Sequence, residues 1–130
     1  MLQSHTPDTI RAPFANYVHG VEIPAGYRLL VCSGQVGVAA DDTIPEDAEA
    51  QADRCFANIA EILRSADMSA GDVVRLNAFV TDRAHLAAYM RARDRFVGAR
   101  APASTLMIVS GFTVAELKVE VEALAAGKAR

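Results

Sequence analysis

Residues 117–124 read LKVEVEAL, in which apolar and charged side chains alternate from one residue to the next. Alternation with a period of two is typical of a β-strand that is buried on one face and open on the other. Glu120 and Glu122 are two positions apart, so their side chains belong to the same, open face. The stretch therefore predicts a strand in a sheet that other structure covers on one side only.

The preceding sequence supplies helices and further strands for such a sheet. Apolar residues at helical spacing predict a helix from Pro45 to Ala66, with acidic residues in its first turn. A second helix is predicted over residues 83–97, with Asp82 as its N-cap. The turn signal at residues 24–26 predicts a hairpin between the first two strands. Strands are predicted at Tyr17–Ile23, Tyr27–Cys32, Val73–Thr81 and Ser104–Ser110, before the one at Leu117–Leu124.

The order β-β-α-β-α-β-β predicts an α+β fold with one mixed sheet and both helices on one face. A chain of 130 residues is the length of one ordinary domain, so residues 1–130 are expected to form a single domain. Residues 27–32 (YRLLVC) and 104–109 (STLMIV) are apolar on both faces of their strands. Two helices cannot cover both faces, and an apolar face left open predicts a homo-oligomer.

Composition argues against several classes of partner. The net charge is -3, and the most basic segment, residues 91–100, is predicted to be a solvated helix face rather than a phosphate-binding track. No nucleic-acid partner is therefore expected. No apolar run is long enough to cross a membrane, and residues 1–5 do not begin a signal-peptide pattern. A cytoplasmic protein without a membrane partner is the expectation.

Metal and nucleophile chemistry is not predicted either. Cys32 and Cys55 lie in apolar runs without Cys-x-x-Cys spacing and are expected to be buried free thiols. The three histidines lack the spacing of metal ligands, so no metal site is expected. The motifs of serine hydrolases and of phosphate-binding loops are absent.

The candidates for chemistry are carboxylates and hydroxyls. Charged residues on an open strand, such as Glu120 and Glu122, are as often simply solvated, and a catalytic role would need a cleft. Tyr17 begins an apolar strand, where a packed ring with one satisfied hydroxyl is the ordinary arrangement. The interruption at Ser33-Gly34-Gln35 indicates either a β-bulge without a ligand or a place where a hydroxyl and backbone amides meet a carboxylate.

Taken in order, these segments resemble the RidA/YjgF family from about Ala12 to Ala125. The resemblance implies a chorismate-mutase-like fold and a homotrimer whose sheets form a central barrel. It also implies small-molecule clefts between subunits, in which imines or enamines are hydrolysed to a 2-oxo acid and ammonia without a cofactor. The similar elements are Ala15–Gly20 (ANYVHG), Cys32–Val36 (CSGQV), Glu49–Ala52, Asn58–Ile59, Gly71–Val74, Phe79–Asp82 and Val119–Ala123 (VEVEA).

The resemblance assigns roles to individual residues. It implies that Glu120 positions the hydrolytic water and that Tyr17 and Ser33 complete the catalytic set. Gly34 and Glu122 would line the same cleft.

The arginine with which the family binds a substrate carboxylate has no match, so the chain resembles a branch that lacks it. Either Ala103 or Ser104 stands at its position, depending on the alignment, and Thr105 follows. Loss of a charge-assisted contact that is partly buried costs about 2–5 kcal/mol. Arg100 is a candidate to reach the cleft in its place.

Three functions follow from these residues and this resemblance. The first is a cofactor-independent imine or enamine hydrolase with an altered substrate. The second is a module of the same fold that binds a small metabolite without turning it over. The third, endoribonuclease or translation inhibitor activity, is opposed by a pI of about 5.5 and the lack of a basic aromatic surface.

Overall fold

The computed structural model describes residues 1–130 and contains six β-strands and two α-helices. The short helical turns Ala70–Asp72 and Arg83–His85 precede the fourth strand and the second helix. None of the helices is both long and apolar enough to cross a membrane. The strands are β1 (Gln3–His5), β2 (Gly20–Glu22), β3 (Arg28–Val36), β4 (Val73–Val80), β5 (Ala103–Ile108) and β6 (Val119–Gly127), and the helices are α1 (Ala48–Ser65) and α2 (Leu86–Val97).

Four of the strands form one mixed sheet in the order β3-β6-β4-β5. β6 is antiparallel to both of its neighbours, β3 and β4, whereas β5 is parallel to β4. Both α-helices pack on one face of this sheet, and the largest buried cluster lies between them and β4 and β6. The predicted α+β architecture is therefore confirmed.

The N-cap of helix α1 is Asp47. The Asp47 carboxylate accepts a hydrogen bond from the backbone N–H of Ala50 at 2.7 Å, so the helix starts after Asp47 rather than at the predicted Pro45. The carbonyl of Pro45 instead accepts a hydrogen bond from the Gln51 side chain. The apolar stripe is buried against the sheet as predicted, at Ala52, Cys55, Phe56, Ile59 and Leu63.

The predicted hairpin between the first two strands is wrong. β2 pairs with β1 in a separate two-stranded sheet, and β3 pairs with β6 instead. Upstream of β2, Val18 reaches the main sheet through an isolated parallel bridge to Ala103. Alternation along a strand shows which face it buries but not which distant strand lies beside it, so the pairing was not available from the pattern.

Strict alternation along the predicted strand Val73–Thr81 puts Val74 on the same face as Leu76 and Val80, whereas in β4 Val74 lies on the other side of the sheet. Leu76 and Val80 are fully buried beneath the helices, as predicted. A register shift at the start of the strand turns Val74 to the opposite face, where it packs with Leu2 and Ala126. The bulge therefore displaces Val74 alone, and the alternation of buried and less buried residues continues from Arg75 to Val80.

The face of the sheet away from the helices is uncovered and partly apolar. Leu29 and Val31 of β3 are 61% and 78% exposed, and Met107 of β5 is 50% exposed. This is the open apolar face that residues 27–32 and 104–109 predicted.

Candidate functional site

Five of the predicted site residues fall into two groups, one between β3 and β6 and the other at the outer edge of β5. Ser33 and Gly34 of β3 lie beside Glu120 of β6, and we call this group the β3–β6 half. Tyr17 and Ser104 line one depression at the outer edge of β5, and we call this group the β5–α2 half. In one chain the two halves do not share a cavity.

A β-bulge shapes the β3–β6 half. Ser33 and Gly34 together lie opposite a single residue of β6, Glu122. Across this bulge the side chain of Gln35 donates a hydrogen bond to the carbonyl of Ser33 at 3.2 Å. The side chain of Ser33 is exposed, so its hydroxyl is open to a ligand.

The side chain of Glu120 lies directly over Gly34. A Cβ atom added to Gly34 would stand 2.7 Å from Glu120 Oε2 and 2.8 Å from Cδ. Real Cβ atoms do not come so close, so the glycine creates the space that the carboxylate occupies. The bulge and the glycine thus place a half-buried carboxylate beside an exposed serine.

The second glutamate, Glu122, is tied into a chain of hydrogen bonds across the open face. Asn77 Nδ2 donates to Glu122 Oε1 at 3.2 Å. Arg75 Nε donates to Asn77 Oδ1 at 2.8 Å, and Arg75 Nη2 donates to Thr105 Oγ1 at 3.0 Å. The two glutamates therefore differ, because Glu120 receives no hydrogen bond from the chain whereas Glu122 is already occupied.

The β5–α2 half depends on the segment that precedes β2. The backbone N–H of Val18 donates to the Pro102 carbonyl at 3.0 Å, which holds this segment along the start of β5. Tyr17 is thereby placed beside Ser104, and its hydroxyl accepts a hydrogen bond from the backbone N–H of Phe14 at 3.2 Å. The depression encloses about 330 Å³ and is completed by Ala15, Met90, Arg93 and Leu106.

Arg93 also lines this depression, although the sequence pattern did not indicate it as a site residue. Residues 91–100 were predicted to form a solvated helix face, which is wrong for Arg93 because only 3% of it is exposed. The signal was its spacing: Arg93 follows Leu86 by seven positions and Tyr89 by four, so it belongs to the inward stripe of α2.

The structure places the proposed replacement arginine elsewhere. Arg100 lines a different depression, together with Arg28, Asp72 and the first residues of the chain. Ala103 pairs with Arg75 at the opposite end of β4 from Phe79, the partner of Glu120. Within one chain, neither residue comes near Glu120.

The two cysteines lie beneath the β3–β6 half and are free and buried, as predicted. Burial raises the pKa of the Cys55 thiol to about 12, and the negative charge of Glu120 acts in the same direction. Burial also raises the pKa of Cys32. Both thiols are therefore protonated at neutral pH and unsuited to nucleophilic chemistry.

Known proteins resemble this chain in sequence and in fold. A family model described as Endoribonuclease L-PSP matches residues 9–127. The 2-iminobutanoate/2-iminopropanoate deaminase of Escherichia coli strain K12 is 30% identical over 128 residues, covering 94% of this chain and 97% of that protein.

Two solved structures extend the comparison. YyfB from Yersinia pestis, a protein of unknown function of the conserved Rid protein family, has a TM-score of 0.82 at 30% identity, covering 95% of this chain and 97% of that one. TdcF of Escherichia coli with bound serine has a TM-score of 0.71 at 27% identity, covering 87% and 89% of the two chains. The Rid-type, chorismate-mutase-like fold implied by the sequence resemblance is confirmed.

Proposed function

The chain belongs to the endoribonuclease L-PSP family, which includes the RidA/YjgF proteins, and from that premise we propose that it hydrolyses a small imine or enamine without a cofactor. The similarity to a 2-iminobutanoate/2-iminopropanoate deaminase supports this class of reaction. The products would be a carbonyl compound and ammonia.

The observation that carries the proposal is the free carboxylate of Glu120 above Gly34. An imine carbon is already electrophilic, so a positioned water needs only modest activation. In the proposed reaction the water oxygen bonds to the imine carbon while Glu120 takes a proton from the water. The electron pair of the C=N π bond moves to the nitrogen, which takes the proton back from Glu120 to give a tetrahedral amino alcohol. The hydroxyl proton of this adduct is then transferred to the nitrogen, and the carbon–nitrogen bond breaks to release ammonia as the carbonyl forms. Ser33 and Tyr17 would bind the reacting molecule through their hydroxyls.

We propose that the site is completed between the subunits of a homotrimer. Glu120 and Tyr17 lie in different halves, and the depression that Tyr17 lines contains no residue of β3 or β6. The exposed Leu29 and Val31 precede Ser33 on the edge strand and offer an apolar surface for a neighbouring chain. A closed cyclic assembly would bring the β3–β6 half of one subunit to the β5–α2 half of the next.

The test is hydrolysis of 2-iminopropanoate and 2-iminobutanoate, each generated in the cuvette by an amino-acid oxidase. The wild type should accelerate loss of the imine, and Glu120→Gln should lower kcat about a hundredfold or more. Glu61→Gln is the matched control, because Glu61 is an exposed glutamate on α1 that pairs with Arg64. A wild type that accelerates neither reaction, or a Glu120→Gln variant as fast as the wild type, would contradict the proposal.

The second candidate is a non-catalytic module that binds a small metabolite. It is favoured by Ala103 and Ser104, since neither side chain can hold a carboxylate as an arginine does. Saturable binding of the imine's carbonyl product, with no hydrolysis in the same preparation, would identify this function. RNA cleavage is not proposed, because a net charge of -3 suits a polyanionic ligand poorly.

A further inference from the structure

We infer that Arg93 is the anion-binding group of the β5–α2 half and that the ligand is a small molecule with a carboxylate. The inference rests on the proposed function for the identity of the reaction, but the binding it describes can be measured without turnover. Arg93 reaches the depression from α2, whereas Tyr17 reaches it from the segment before β2 and Ser104 from β5.

The guanidinium of Arg93 is buried but incompletely bonded. Its side chain is 4% exposed, and its Nε and Nη2 groups donate to Asp94 Oδ1 at 3.2 and 3.1 Å. An arginine has five N–H donors in a fixed planar fork, so most of its donors have no acceptor within the chain. Nη1 donates no hydrogen bond within the chain and is not among its fully buried, unpartnered atoms, so its N–H groups reach solvent and are available to an anion.

The charge of Arg93 is only partly compensated by its neighbour. Asp94 is 51% exposed, so solvent screens its carboxylate. The same Oδ1 atom also accepts a hydrogen bond from the side chain of Asn16 at 3.2 Å. A ligand carboxylate inside the depression would be shielded from water and would meet the free side of the fork.

The rest of the depression suits a short organic acid. The hydroxyls of Tyr17 and Ser104 can hydrogen-bond to polar groups of a ligand, and Phe14, Met90 and Leu106 supply apolar walls. A cavity of about 330 Å³ accommodates a molecule of a few heavy atoms with a small alkyl group.

Neighbouring arginines of α2 are engaged differently. Arg91 donates to Glu49 at 2.8 Å, and Arg95 pairs with both Glu49 and Asp53. These residues are exposed and tie α2 to α1, so their charges are already matched. Arg93 differs from both, because it is buried and has N–H groups that donate to no acceptor within the chain.

The test compares two probes of nearly equal size that differ in charge, 2-oxobutanoate and 2-oxobutanamide. Calorimetric titration of the intact protein should give at least a tenfold preference for the carboxylate. Arg93→Met should weaken binding of 2-oxobutanoate roughly ten- to hundredfold and leave binding of the amide unchanged. Arg93→Lys, which keeps the charge but loses the fork, should fall between the two.

The matched control is Arg91→Met, the same substitution at an exposed position of the same helix, which should bind both probes as the wild type does. Equal affinity of the wild type for the two probes, absence of binding, or a folded Arg93→Met that still prefers the carboxylate would overturn the inference. Parallel assays with 2-iminobutanoate separate it from the proposed function. Arg93-dependent binding without hydrolysis would contradict the proposed hydrolase function and support the Arg93 subsite. Hydrolysis with an unchanged KM in Arg93→Met would support the hydrolase function and contradict the subsite.

Discussion

The two halves of the candidate site are built in different ways. In the β3–β6 half, neighbouring strands of one sheet hold Gly34 and Glu120, and the register of the ladder fixes their separation. In the β5–α2 half, Tyr17 belongs to a segment outside the regular strands that meets the sheet at one bridge, between Val18 and Ala103. The first half is positioned by the sheet, the second by a few local contacts.

This difference indicates how each half responds to change. Backbone geometry controls the β3–β6 half, so substitutions there act through close approach and register. Side-chain hydrogen bonds and charge control the β5–α2 half, where Tyr17 and Arg93 each depend on one or two partners. Four tests separate the two kinds of control.

The largest effect is expected from disrupting the proposed interface that brings the β3–β6 half of one subunit to the β5–α2 half of the next. Val31 is 78% exposed on the open sheet face, so Val31→Asp should leave the monomer folded while placing a charge in the proposed interface. We expect a monomer by analytical ultracentrifugation and loss of essentially all imine hydrolysis. Ile10→Asp, an exposed apolar position outside the sheet, should change neither. An active monomer would show that one chain contains a complete site.

Two glycines near the end of β3 distinguish site geometry from stability. A Cβ on Gly37 would meet Gln51 Cβ at 2.7 Å and Cα at 2.9 Å in the first turn of α1, so Gly37→Ala should destabilise the fold by about 3 kcal/mol. A Cβ on Gly34 would meet the flexible end of Glu120, which can move aside. Gly34→Ala should therefore keep its melting temperature close to that of the wild type and lose about tenfold in kcat. The opposite pattern, an active Gly34→Ala with a large stability loss, would mean that Glu120 is not held by this contact.

The same contrast explains how much the sequence predicted. The alternation of LKVEVEAL identified the open face with Glu120 and Glu122, and helical spacing identified α1, because both patterns are local. Which strand lies beside β3 depends on residues about ninety positions away, so the hairpin prediction failed. The placement of Tyr17 and Glu120 in different halves also depends on strand pairing between distant residues, so the local pattern did not indicate it.

The roles of individual polar residues depended on partners that a linear pattern does not contain. Glu120 and Glu122 are equivalent in the alternating pattern. In the structure Asn77 hydrogen-bonds to Glu122, whereas Glu120 lies over Gly34. Arg93 was grouped with a solvated basic face because three arginines alternate there, although its helical spacing placed it inward. Charge pattern and burial pattern disagreed at this position, and the burial pattern was correct.

Alkaline pH should destabilise the structure beneath the β3–β6 half. The pKa of Cys55 is raised to about 12 in the fold, above the value of roughly 8.5 for a free thiol, so the folded state keeps a proton that the unfolded chain loses. The contribution of the Cys55 thiol to the free energy of unfolding is therefore complete below about pH 8.5. It falls by about 2 kcal/mol at pH 10 and continues to fall as the pH rises toward 12. Urea unfolding at pH 7 and pH 10 measures this loss.

The control for the alkaline effect is Cys55→Ala, in which the pH dependence between pH 8.5 and pH 10 should be visibly weaker whatever the starting stability. Burial also raises the pKa of Tyr89, which is on the inward face of α2, but an unfolded tyrosine ionises only near pH 10. As the pH rises, the loss of stability caused by Cys55 should therefore begin at a lower pH than the loss caused by Tyr89. A curve identical to that of the wild type would show that Cys55 does not contribute.

The smallest effect is expected from removing one hydroxyl of the β5–α2 half. In the chain the Tyr17 hydroxyl receives a single hydrogen bond, from the exposed backbone N–H of Phe14, so Tyr17→Phe should cost less than about 1 kcal/mol of stability. If Tyr17 also binds the reacting molecule, kcat/KM should fall about three- to tenfold, and Arg93→Met should have less effect in the Tyr17→Phe background than alone. Tyr27→Phe, which changes a tyrosine outside this depression, serves as the control. Additive effects of the Tyr17 and Arg93 substitutions would mean that the two side chains do not share one ligand, and the β5–α2 half would then be two independent features rather than one subsite.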